Sequence, residues 1–424
     1  MKKMTVAIAG CGSRGLQTYA KCLEKFSDRA EIVAVADIRP DRVAVAAKRY
    51  NIPADMCFDS VESMLKAPKL ADVLFICTPD DVHYQPAIDA LHRGYHLLLE
   101  KPAARTVQEC RDIAELAEQK GLTVVVCHVL RYTVFYQTIK QLIDHGRLGK
   151  IMNVEAIERV AHWHQAHSFV RGNWHVAADT TPMILAKCCH DMDMLLWLTG
   201  KTCEKVTSFG HLTHFRAENA PAGAPARCSD ACPAADACVY NAQRYYLDKF
   251  REGGDCWPVN VVAPDPTEEK LRAALAEGDY GRCVYRMNND VVDHQVVSMQ
   301  LADDVTVAFT MTAFTAQCAR AMRICGTAGE LYADMERNTI RVMPFGGEEE
   351  LIDVTKLTSD FSGHGGGDVR MVADFLDLLE GKGMSEALTT ISRSVESHYV
   401  CLAAEESRLR GGQLICLDEF VSEA

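Results

Sequence analysis

The chain has 424 residues, 48% of them apolar and 24% charged, so it is long enough to bury a large core without disulfides or metal ions. Its formal net charge of -13 argues against nucleic acid and membrane surfaces as partners, because an acidic surface repels phosphate groups. Most of the 18 cysteines stand singly in apolar segments, which favours a cytoplasmic location over a secreted, disulfide-bonded one.

The first 126 residues alternate short, continuous apolar runs with amphipathic stretches. Such runs are typical of strands covered on both faces, and they predict strands over residues 5–9, 32–36, 73–76, 96–99 and 123–126. The stretches between them predict helices, and the one over 107–118 begins with a capping box formed by Thr106 and Glu109. The alternation predicts an α/β fold with a doubly wound parallel sheet over residues 1–126.

Beyond residue 126 the pattern changes, after one further helix predicted over 135–145. The later runs interleave polar and apolar residues, which predicts a largely antiparallel open sheet with strands over 151–160, 205–215, 291–301 and 305–314. Segment 216–266 begins with a proline- and alanine-rich loop and lacks clear periodicity, so we interpret it as an insertion. Helices predicted over 369–380 and 395–409 complete an α+β domain over residues 127–424.

A glycine-rich turn, Gly10-Cys-Gly12-Ser-Arg-Gly15, follows the first predicted strand and precedes a helix. In a Rossmann domain the first glycine permits a tight turn, the second admits a pyrophosphate, and the third allows close helix–strand packing. Asp37 ends the second strand, where a carboxylate accepts hydrogen bonds from the adenosine ribose. The pattern predicts NAD as cofactor, with NADP as the alternative because Arg39 lies close by. The predicted contacts in these two segments are Gly10, Gly12, Ser13, Arg14, Gly15, Asp37, Ile38 and Arg39.

Three further motifs follow in chain order. They are Thr78-Pro79 with His83, Glu100-Lys101-Pro102, and His190-Asp-Met-Asp193 followed by Trp197-Leu-Thr-Gly200. In order and spacing they resemble the TPxxxH, EKP and HxxD…WLxG segments of the Gfo/Idh/MocA oxidoreductase family, and the resemblance extends over the whole chain. It implies five cofactor contacts in addition to those of the glycine-rich turn and the Asp37 segment, namely Thr78, Pro79, His83, Glu100 and Lys101.

The resemblance implies oxidation of a secondary alcohol of a sugar, polyol or inositol, or the reverse reduction. It also implies that Lys101 points toward nicotinamide and substrate and that His190 is the acid/base group. These roles are chemically reasonable, since hydride loss from a carbinol requires removal of the hydroxyl proton, and imidazole titrates near neutral pH. Members of the family commonly carry an aspartate where this chain has Ala186. Lys187 would share the helix face of His190 in a helical stretch, so it is a third catalytic candidate.

Other polar residues are candidates for substrate binding. His128 and Arg131 follow the last strand of the first domain, and Asp193 is placed to contact the substrate or to orient its neighbours. His364 lies in a glycine-rich loop that could close over a substrate, with a plain linker as the alternative. His162-Trp163-His164 crowds aromatic and imidazole side chains, as expected for a carbohydrate site. The predicted substrate contacts are Lys101, His128, Arg131, Asp193, His190 and His364.

Three cysteines fall within eleven residues of the predicted insertion, at positions 228, 232 and 238. A polar loop does not need thiols to fill a core, so we predict a metal site, with zinc ahead of an iron–sulfur cluster. The predicted ligands are Cys228, Cys232, Cys238 and Cys283, with Cys256 and His214 as alternatives for the fourth position. The spacing is not the CxxC of zinc ribbons, and free thiols or a disulfide is the competing interpretation. A branch of the family resembles this chain in carrying a cysteine-bearing insertion.

Three functions are compatible with these features. The leading hypothesis is an NAD-dependent dehydrogenase that acts on CH–OH groups of a small carbohydrate or polyol. The second keeps the fold and a tightly bound NAD but cleaves a glycoside without net redox change, as some relatives do. The third is a non-catalytic dinucleotide sensor, which would not need Lys101 and His190. In each case we expect a homo-oligomer, either a dimer or a tetramer, assembled through the C-terminal sheet.

Overall fold

Two β-sheets organise the protein in a computed structural model, which describes residues 3–424. The first sheet comprises β1 (Met4–Ala9), β2 (Ala30–Ala36), β3 (Cys57–Phe58), β4 (Val73–Ile76), β5 (His96–Leu99) and β6 (Val124–Val126). Its strands lie in the order β3-β2-β1-β4-β5-β6, and all neighbours are parallel. The carboxyl ends of these strands therefore meet at one edge of the sheet, where ligands of open α/β sheets bind.

Helices cover both faces of the first sheet. They are α1 (Ser13–Ala20, continuing as Lys21–Glu24), α2 (Pro40–Tyr50), α3 (Val61–Lys66), α4 (Tyr84–His92) and α5 (Val107–Lys120). Alternate residues of β1 enter separate buried clusters: Val6 and Ile8 enter one, and Ala7 and Ala9 the other. This two-sided burial is the reason that the strand sequences are continuously apolar.

The second sheet is largely antiparallel. Its strands are β7 (Ile151–Arg159), β8 (Cys203–His211), β9 (His294–Leu301), β10 (Thr306–Thr312), β11 (Ala319–Gly326), β12 (Gly329–Asp334), β13 (Thr339–Pro344), β14 (Glu350–Asp353) and β15 (Ile415–Cys416). They lie in the order β14-β13-β12-β11-β7-β10-β9-β8-β15, and β7 and β10 are parallel. Burial alternates along β9 and β10, which leaves one face of the sheet open, as the polar–apolar alternation predicts.

Eleven further helices follow the first sheet in the described part of the chain. They are α6 (Val134–Asp144), α7 (His162–His164, continuing as Gln165–Arg171), α8 (Met183–Ala186), α9 (Cys189–Thr199), α10 (Ala242–Gly253), α11 (Val259–Val262), α12 (Glu268–Glu277), α13 (Ser362–Gly365, an irregular turn), α14 (Gly367–Leu379), α15 (Ile391–Leu409) and α16 (Leu417–Glu423). Short 3₁₀ turns occupy Ala54–Met56, Asp80–Val82, Val129–Tyr132, Ala217–Asn219, Asp279–Gly281, Ala302–Asp304 and Val354–Lys356.

Helix α14 returns to the first sheet. Met371 and Phe375 are fully buried in the same cluster as Tyr19 and Phe75, and the Phe75 and Phe375 ring centroids lie 6.3 Å apart. The backbone of Val126 also donates a hydrogen bond to the Thr389 carbonyl oxygen at 2.8 Å. The last part of the chain thus packs on both sheets, and the domain boundary at residue 126 stays a prediction.

The predicted fold class is confirmed: a parallel Rossmann-type sheet is followed by a mostly antiparallel α+β region. The capping box of α5 is present, because the Thr106 side chain accepts from the Glu109 backbone and the Glu109 carboxylate accepts from the Thr106 backbone. The predicted insertion is more regular than expected, since it leads into α10, α11 and α12. Its helix starts were readable in the sequence, because Asn241 and Thr267 cap α10 and α12. Between residues 3 and 424, no helix has the length and apolarity that crossing a bilayer requires.

Candidate active site

The glycine-rich turn between β1 and α1 forms an open cradle. Gly10 has a φ of +91°, and a Cβ there would lie 2.5 Å from the Cys77 carbonyl oxygen. A Cβ on Gly15 would lie 1.9 Å from the Gly10 carbonyl oxygen. Over Gly12, a Cβ would meet only the Arg42 guanidinium, at 3.4 Å. The first and third glycines are therefore required by backbone contacts, while the space over the second suits a pyrophosphate.

Asp37 ends β2 beside the cradle and is buried. Its Oδ2 accepts a hydrogen bond from the Cys11 backbone N–H at 2.7 Å, and its Oδ1 accepts one from the Arg39 N–H at 2.9 Å. The Arg39 guanidinium turns away to Asp41, whereas Arg42 Nη1 lies 3.7 Å from Asp37 Oδ2. The remaining lone pairs of the Asp37 carboxylate fit the ribose hydroxyls of NAD. The arginine side chain beside the Asp37 carboxylate is therefore that of Arg42 and not that of Arg39.

The other predicted residues of the cradle lie beside these two points. Ser13 begins α1, and Ile38 follows Asp37 with 82% of its surface exposed. Thr78 ends the loop after β4, where its hydroxyl donates to the Val82 carbonyl oxygen at 3.1 Å, and Pro79 precedes the turn Asp80–Val82. The fingerprint and the Thr78-Pro79 segment therefore share the carboxyl edge of the sheet, as the topology requires.

Glu100 is an internal anion rather than an exposed ligand. Its carboxylate accepts hydrogen bonds from Arg14 Nε at 2.5 Å, the Tyr19 hydroxyl at 2.6 Å and the Lys101 backbone N–H at 3.0 Å. Burial alone would raise the pKa of Glu100, but the Arg14 guanidinium and Lys101 hold it below its usual range. Arg14 also binds Asp368 Oδ1 at 2.7 Å, so the fingerprint is tied to the start of α14.

His83 contacts both the loop that contains Thr78-Pro79 and the loop that contains Glu100-Lys101-Pro102. It is fully buried, with Nδ1 2.7 Å from the Pro102 carbonyl oxygen and Nε2 2.8 Å from the Thr78 carbonyl oxygen. The imidazole thus joins the loop after β4 to the loop after β5. Its role as a cofactor contact stays a prediction, since both of its nitrogens already face protein oxygens.

Lys101 and His190 come together at the centre of the cleft. Lys101 Nζ donates to the Ala186 carbonyl oxygen at 2.7 Å, just ahead of the helix that carries His190. The side chain of His190 is buried, and its Nδ1 has no hydrogen-bond partner among residues 3–424. Burial, and next to it the charge of Lys101, lowers the pKa of His190 well below its ordinary value. The imidazole is therefore held neutral, which is the form that accepts a proton.

Two further histidines line up with His190. The His128 ring centroid lies 5.7 Å from that of His190 and 5.4 Å from that of His398. Both ring nitrogens of His128 are buried and lack hydrogen-bond partners within the described part of the chain. Burial, followed by Arg131 and Lys101, lowers the pKa of His128 well below its ordinary value. His398 was missed by the sequence reasoning, because its only signal is an isolated histidine in a helix; its Nε2 accepts from the Ala103 N–H at 2.8 Å.

Lys187 does not share a continuous helix with His190, which corrects the sequence expectation. Helix α8 ends at Ala186 and α9 begins at Cys189, so the helix is interrupted at Lys187. Lys187 Nζ instead lies 3.4 Å from Glu158 Oε1, an ionic contact rather than an aligned hydrogen bond. Burial alone would lower the pKa of Lys187, but the Glu158 carboxylate raises it.

Glu158 belongs to a buried charge network that the sequence did not reveal. Arg320 Nη2 lies 2.9 Å from Glu158 Oε2, and Arg320 Nε binds Asp191 Oδ1 at 2.7 Å. The network brings together β7, β11 and the HxxD segment of α9. Glu158 and Arg320 are far apart in sequence and sit in ordinary strand patterns, so no local signal marks them. Asp191, inside the HxxD segment, was the one member that the sequence could have flagged.

Arg131 and Asp193 form a buried pair with each other. Arg131 Nε and Nη2 bind the two Asp193 oxygens at 2.7 and 2.5 Å, and both side chains are at most 5% exposed. Such a bidentate pair satisfies the carboxylate. The predicted substrate contacts of these two residues gain no support from this arrangement, which instead anchors α9 to the turn after β6.

His364 reaches the cleft from the glycine-rich turn α13. Its ring centroid lies 5.9 Å from that of His190, and its Nδ1 is 3.1 Å from Asp368 Oδ2. Burial opposes ionisation of Asp368, but Arg14 and then His364 hold the pKa of its carboxyl well below its usual range. His364 is thus oriented by a carboxylate that is itself fixed by the fingerprint arginine. Asp368 therefore connects the glycine-rich turn α13 to Arg14 of the cofactor cradle.

The four cysteines of the predicted metal site line one cavity in the insertion, together with Arg171. Cys228 Sγ accepts from Arg171 Nη2 at 3.7 Å and from the Ala242 N–H at 3.5 Å. Among residues 3–424, however, no group of three or more His, Cys, Asp or Glu side chains is arranged to hold a metal ion. The prediction of zinc or an iron–sulfur cluster at Cys228, Cys232, Cys238 and Cys283 is corrected accordingly. The four thiols border the cavity as free cysteines.

Comparison with known families gives two matches that follow each other along the chain. The family model described as "Oxidoreductase family, NAD-binding Rossmann fold" matches residues 4–128. The model of the GFO/IDH/MocA C-terminal domain matches residues 136–237. The first match covers all six strands of the first sheet, and the second covers β7, β8 and the HxxD segment.

Individual relatives agree with these matches. The protein YteT of Bacillus subtilis (strain 168) is 22% identical over 393 residues, which is 87% of this chain and 87% of that protein. D-glucoside 3-dehydrogenase of Escherichia coli (strain K12) is 30% identical over 148 residues, 35% of this chain and 41% of that protein. The crystal structure of scyllo-inositol dehydrogenase from Lactobacillus casei, with NAD(H) and scyllo-inositol bound, has a TM-score of 0.67 at 18% identity and covers 98% of this chain and 100% of its own. At that identity, the structural likeness concerns the fold.

Proposed function

Because the chain belongs to the Gfo/Idh/MocA family of NAD-binding oxidoreductases, we propose that it is an NAD-dependent dehydrogenase of a sugar, polyol or inositol-type alcohol. The observation that carries this proposal is that burial and the charge of Lys101, which is bonded to the Ala186 carbonyl oxygen, lower the pKa of His190, whose Nδ1 has no partner among residues 3–424. Relatives named for oxidising glucosides and inositol support the substrate class.

The residues of the cradle fit NAD. Gly12 leaves room for the pyrophosphate, and the Asp37 carboxylate would accept the adenosine ribose hydroxyls. When bound, NAD supplies the acceptor for a hydride from the substrate carbon. Lys101 follows β5 at the carboxyl edge of the parallel sheet, and this position supports its proposed role beside the nicotinamide.

The chain's own residues then handle the hydroxyl proton. His190, held neutral by burial and by Lys101, accepts the proton of the substrate hydroxyl through an unpartnered nitrogen. Lys101, fixed by the Ala186 carbonyl oxygen, donates a hydrogen bond to the same substrate oxygen. The unpartnered nitrogens of His128 provide further hydrogen bonds for substrate hydroxyls. In the reverse direction the same groups return the proton.

The proposal is tested by a screen of sugars, polyols and cyclitols against the purified protein with NAD. Formation of NADH is followed by its absorbance, and the product mass is recorded in the same samples. We expect at least one substrate to yield NADH together with a product two mass units lighter. A product of glycoside cleavage without any NADH would instead favour the second function.

That second function, redox-neutral cleavage of a glycoside with NAD retained, is favoured by one observation. His364 is paired with Asp368 and lies opposite His190, so the cleft contains a second imidazole that could protonate a leaving group. Oxidation of an alcohol needs one proton-transferring group, whereas elimination of an aglycone needs a base and an acid. Substitution of His364 by Ala should abolish cleavage but spare net oxidation if the two reactions are separate.

A further inference from the structure

An aromatic cluster lies beside the cleft and includes a residue that no predicted motif contains. The Trp257 ring centroid is 5.1 Å from His164, 5.3 Å from His167 and 5.7 Å from Trp163, and all three contacts are edge-on. Trp163 stacks on Tyr245 at 6.2 Å, with an angle of 24° between the rings. Trp257 comes from the turn between α10 and α11, beyond residue 237 where the family match ends.

The aromatic cluster lies next to the buried charge network of Glu158, Arg320 and Lys187. His164 Nδ1 lies 3.5 Å from Cys318 Sγ, and Cys318 stands two residues before Arg320. Arg320 in turn binds Glu158, the partner of Lys187. Lys187 and Lys101 both act on the pKa of His164, which burial and these charges lower well below its ordinary value. The aromatic rings therefore continue the same cleft outward from Lys101 and His190.

Trp257 is left uncovered in this position. Its neighbours are half-buried or buried, but 41% of its own surface remains exposed. An indole held by three aromatic rings has little freedom to turn its exposed part inward, and exposed apolar surface at the mouth of a cleft is typical of ligand sites. Indole rings bind the C–H face of a pyranose, and the imidazoles beside it can bind hydroxyl groups.

We infer that Trp257, held in place by Trp163, forms a second subsite of the cleft, which binds a further pyranose ring next to the one that reacts. This inference rests on the proposed function, and it narrows the substrate class from a free sugar or cyclitol to a disaccharide or similar glycoside. The insertion then has a role in specificity, since it carries Trp257 to the cleft. Reaction at the first ring is unchanged, because the rings that contact Trp257 are those of Trp163, His164 and His167 and not that of His190.

The experiment compares matched ligands with the full-length protein saturated with NAD. The pairs are methyl β-D-glucopyranoside and cellobiose, methyl α-D-glucopyranoside and maltose, and methyl β-D-galactopyranoside and lactose, measured by titration calorimetry. In at least one pair the disaccharide should bind roughly tenfold more tightly than the methyl glycoside. Trp257→Ala should remove this advantage and leave the affinity for the methyl glycoside within about twofold, while Trp257→Phe should keep part of it.

Phe345→Ala is the matched control, because Phe345 is an exposed aromatic residue at the end of β13 and should leave both affinities unchanged. The wild-type comparison needs no variant, so a folding defect of Trp257→Ala cannot hide the result. If methyl glycosides bind or are oxidised but no disaccharide gains affinity, the second subsite is refuted and the dehydrogenase proposal stands. Equal loss of both ligands in Trp257→Ala would also refute it. If no sugar or cyclitol binds or reacts, both proposals fall.

Discussion

The cofactor cradle and the proposed substrate site around His128 and His190 are built in opposite ways. In the cradle, the polar side chains are engaged with the protein: Asp37 accepts two backbone N–H groups, and Glu100 accepts three donors. In the proposed substrate site, His128 and His190 are buried with ring nitrogens that no residue between 3 and 424 satisfies. An unpaired buried polar group costs free energy. A ligand that forms hydrogen bonds with these nitrogens would remove that cost and so gain affinity.

The two regions should therefore respond differently to substitution. The cradle is stabilised by the same bonds that shape it, so changes there should affect folding or cofactor choice. The proposed substrate site contains buried nitrogens that no described residue satisfies, so changes there should affect turnover. Four predictions test whether substitutions in the cradle change stability or cofactor choice while those around His190 change turnover.

Removal of either central group should have the largest effect. Lys101→Ala and His190→Ala should each lower kcat by roughly 10²–10⁴-fold, the usual scale for general acid–base groups. The double variant should be far less impaired than the product of the two effects, because both groups act on the same substrate hydroxyl. Steady-state kinetics on the substrate found by the screen provide the measurement, and NAD affinity should change little.

His211→Ala is the matched control, since His211 is an exposed histidine of β8 and should keep full turnover. Full activity in both Lys101→Ala and His190→Ala would show that the proton is handled elsewhere, and His128 and His364 would then be the groups to test.

The second prediction concerns the internal ion pairs of the cradle. Arg14→Met leaves the buried carboxylates of Glu100 and Asp368 without their shared partner, so it should lower the free energy of unfolding by about 3 kcal/mol. Urea-induced unfolding measures the effect. Arg39→Met is the control, because the exposed pair of Arg39 with Asp41 should contribute only about 0.5 kcal/mol. Equal stability of the two variants would show that the Arg14 pairs do not brace the fold.

The third prediction concerns cofactor choice. Asp37→Ser removes the carboxylate that would accept the ribose hydroxyls, so NAD affinity should fall roughly 10- to 100-fold. NADP should bind better than in the wild type, since Arg42 lies 3.7 Å from this carboxylate and would face a 2′-phosphate. Titration calorimetry with both cofactors checks the result. Asp418→Ser is the control, because Asp418 is an exposed carboxylate of α16, and it should leave the preference unchanged. A wild type that prefers NADP would overturn the assignment.

The fourth prediction is a shift in pH dependence. If neutral His190 accepts the proton as proposed, kcat/KM for oxidation should stay level as the pH falls through about 6.5, because burial together with Lys101 lowers the pKa of His190. Activity should decline only at lower pH, where His190 becomes protonated. In Lys101→Met one of the lowering charges is gone, so an NMR titration should show a higher pKa for His190 than in the wild type. An unchanged pKa would contradict the coupling of the two residues.

Much of the cofactor side could be predicted from the sequence. Each of its parts is local: a glycine turn after an apolar run, an acid at the next strand end, and Glu100-Lys101-Pro102 after a further strand. Parallel strands bring their carboxyl ends to one edge, so short motifs at those ends were enough to place Lys101 near the cradle. The capping box of α5 was equally local.

The substrate side depended on contacts between distant segments. The sequence pointed to His190 and His128, but not to Glu158, Arg320, His398 or Trp257, which reach the cleft from separate strands, a helix and the insertion. It also misjudged Lys187 and the four cysteines, because helix continuity and metal geometry depend on where neighbouring segments pack.

The sequence by itself determined the fold class, the glycine cradle and the identity of the residues at the strand ends, because backbone sterics and strand periodicity act over a few residues. Only the tertiary structure decided which charges pair, which imidazoles stay unpartnered and which indole faces the cleft. Those outcomes depend on distances across the fold, and burial then sets their electrostatics by removing water from around Glu158, His190 and Asp368.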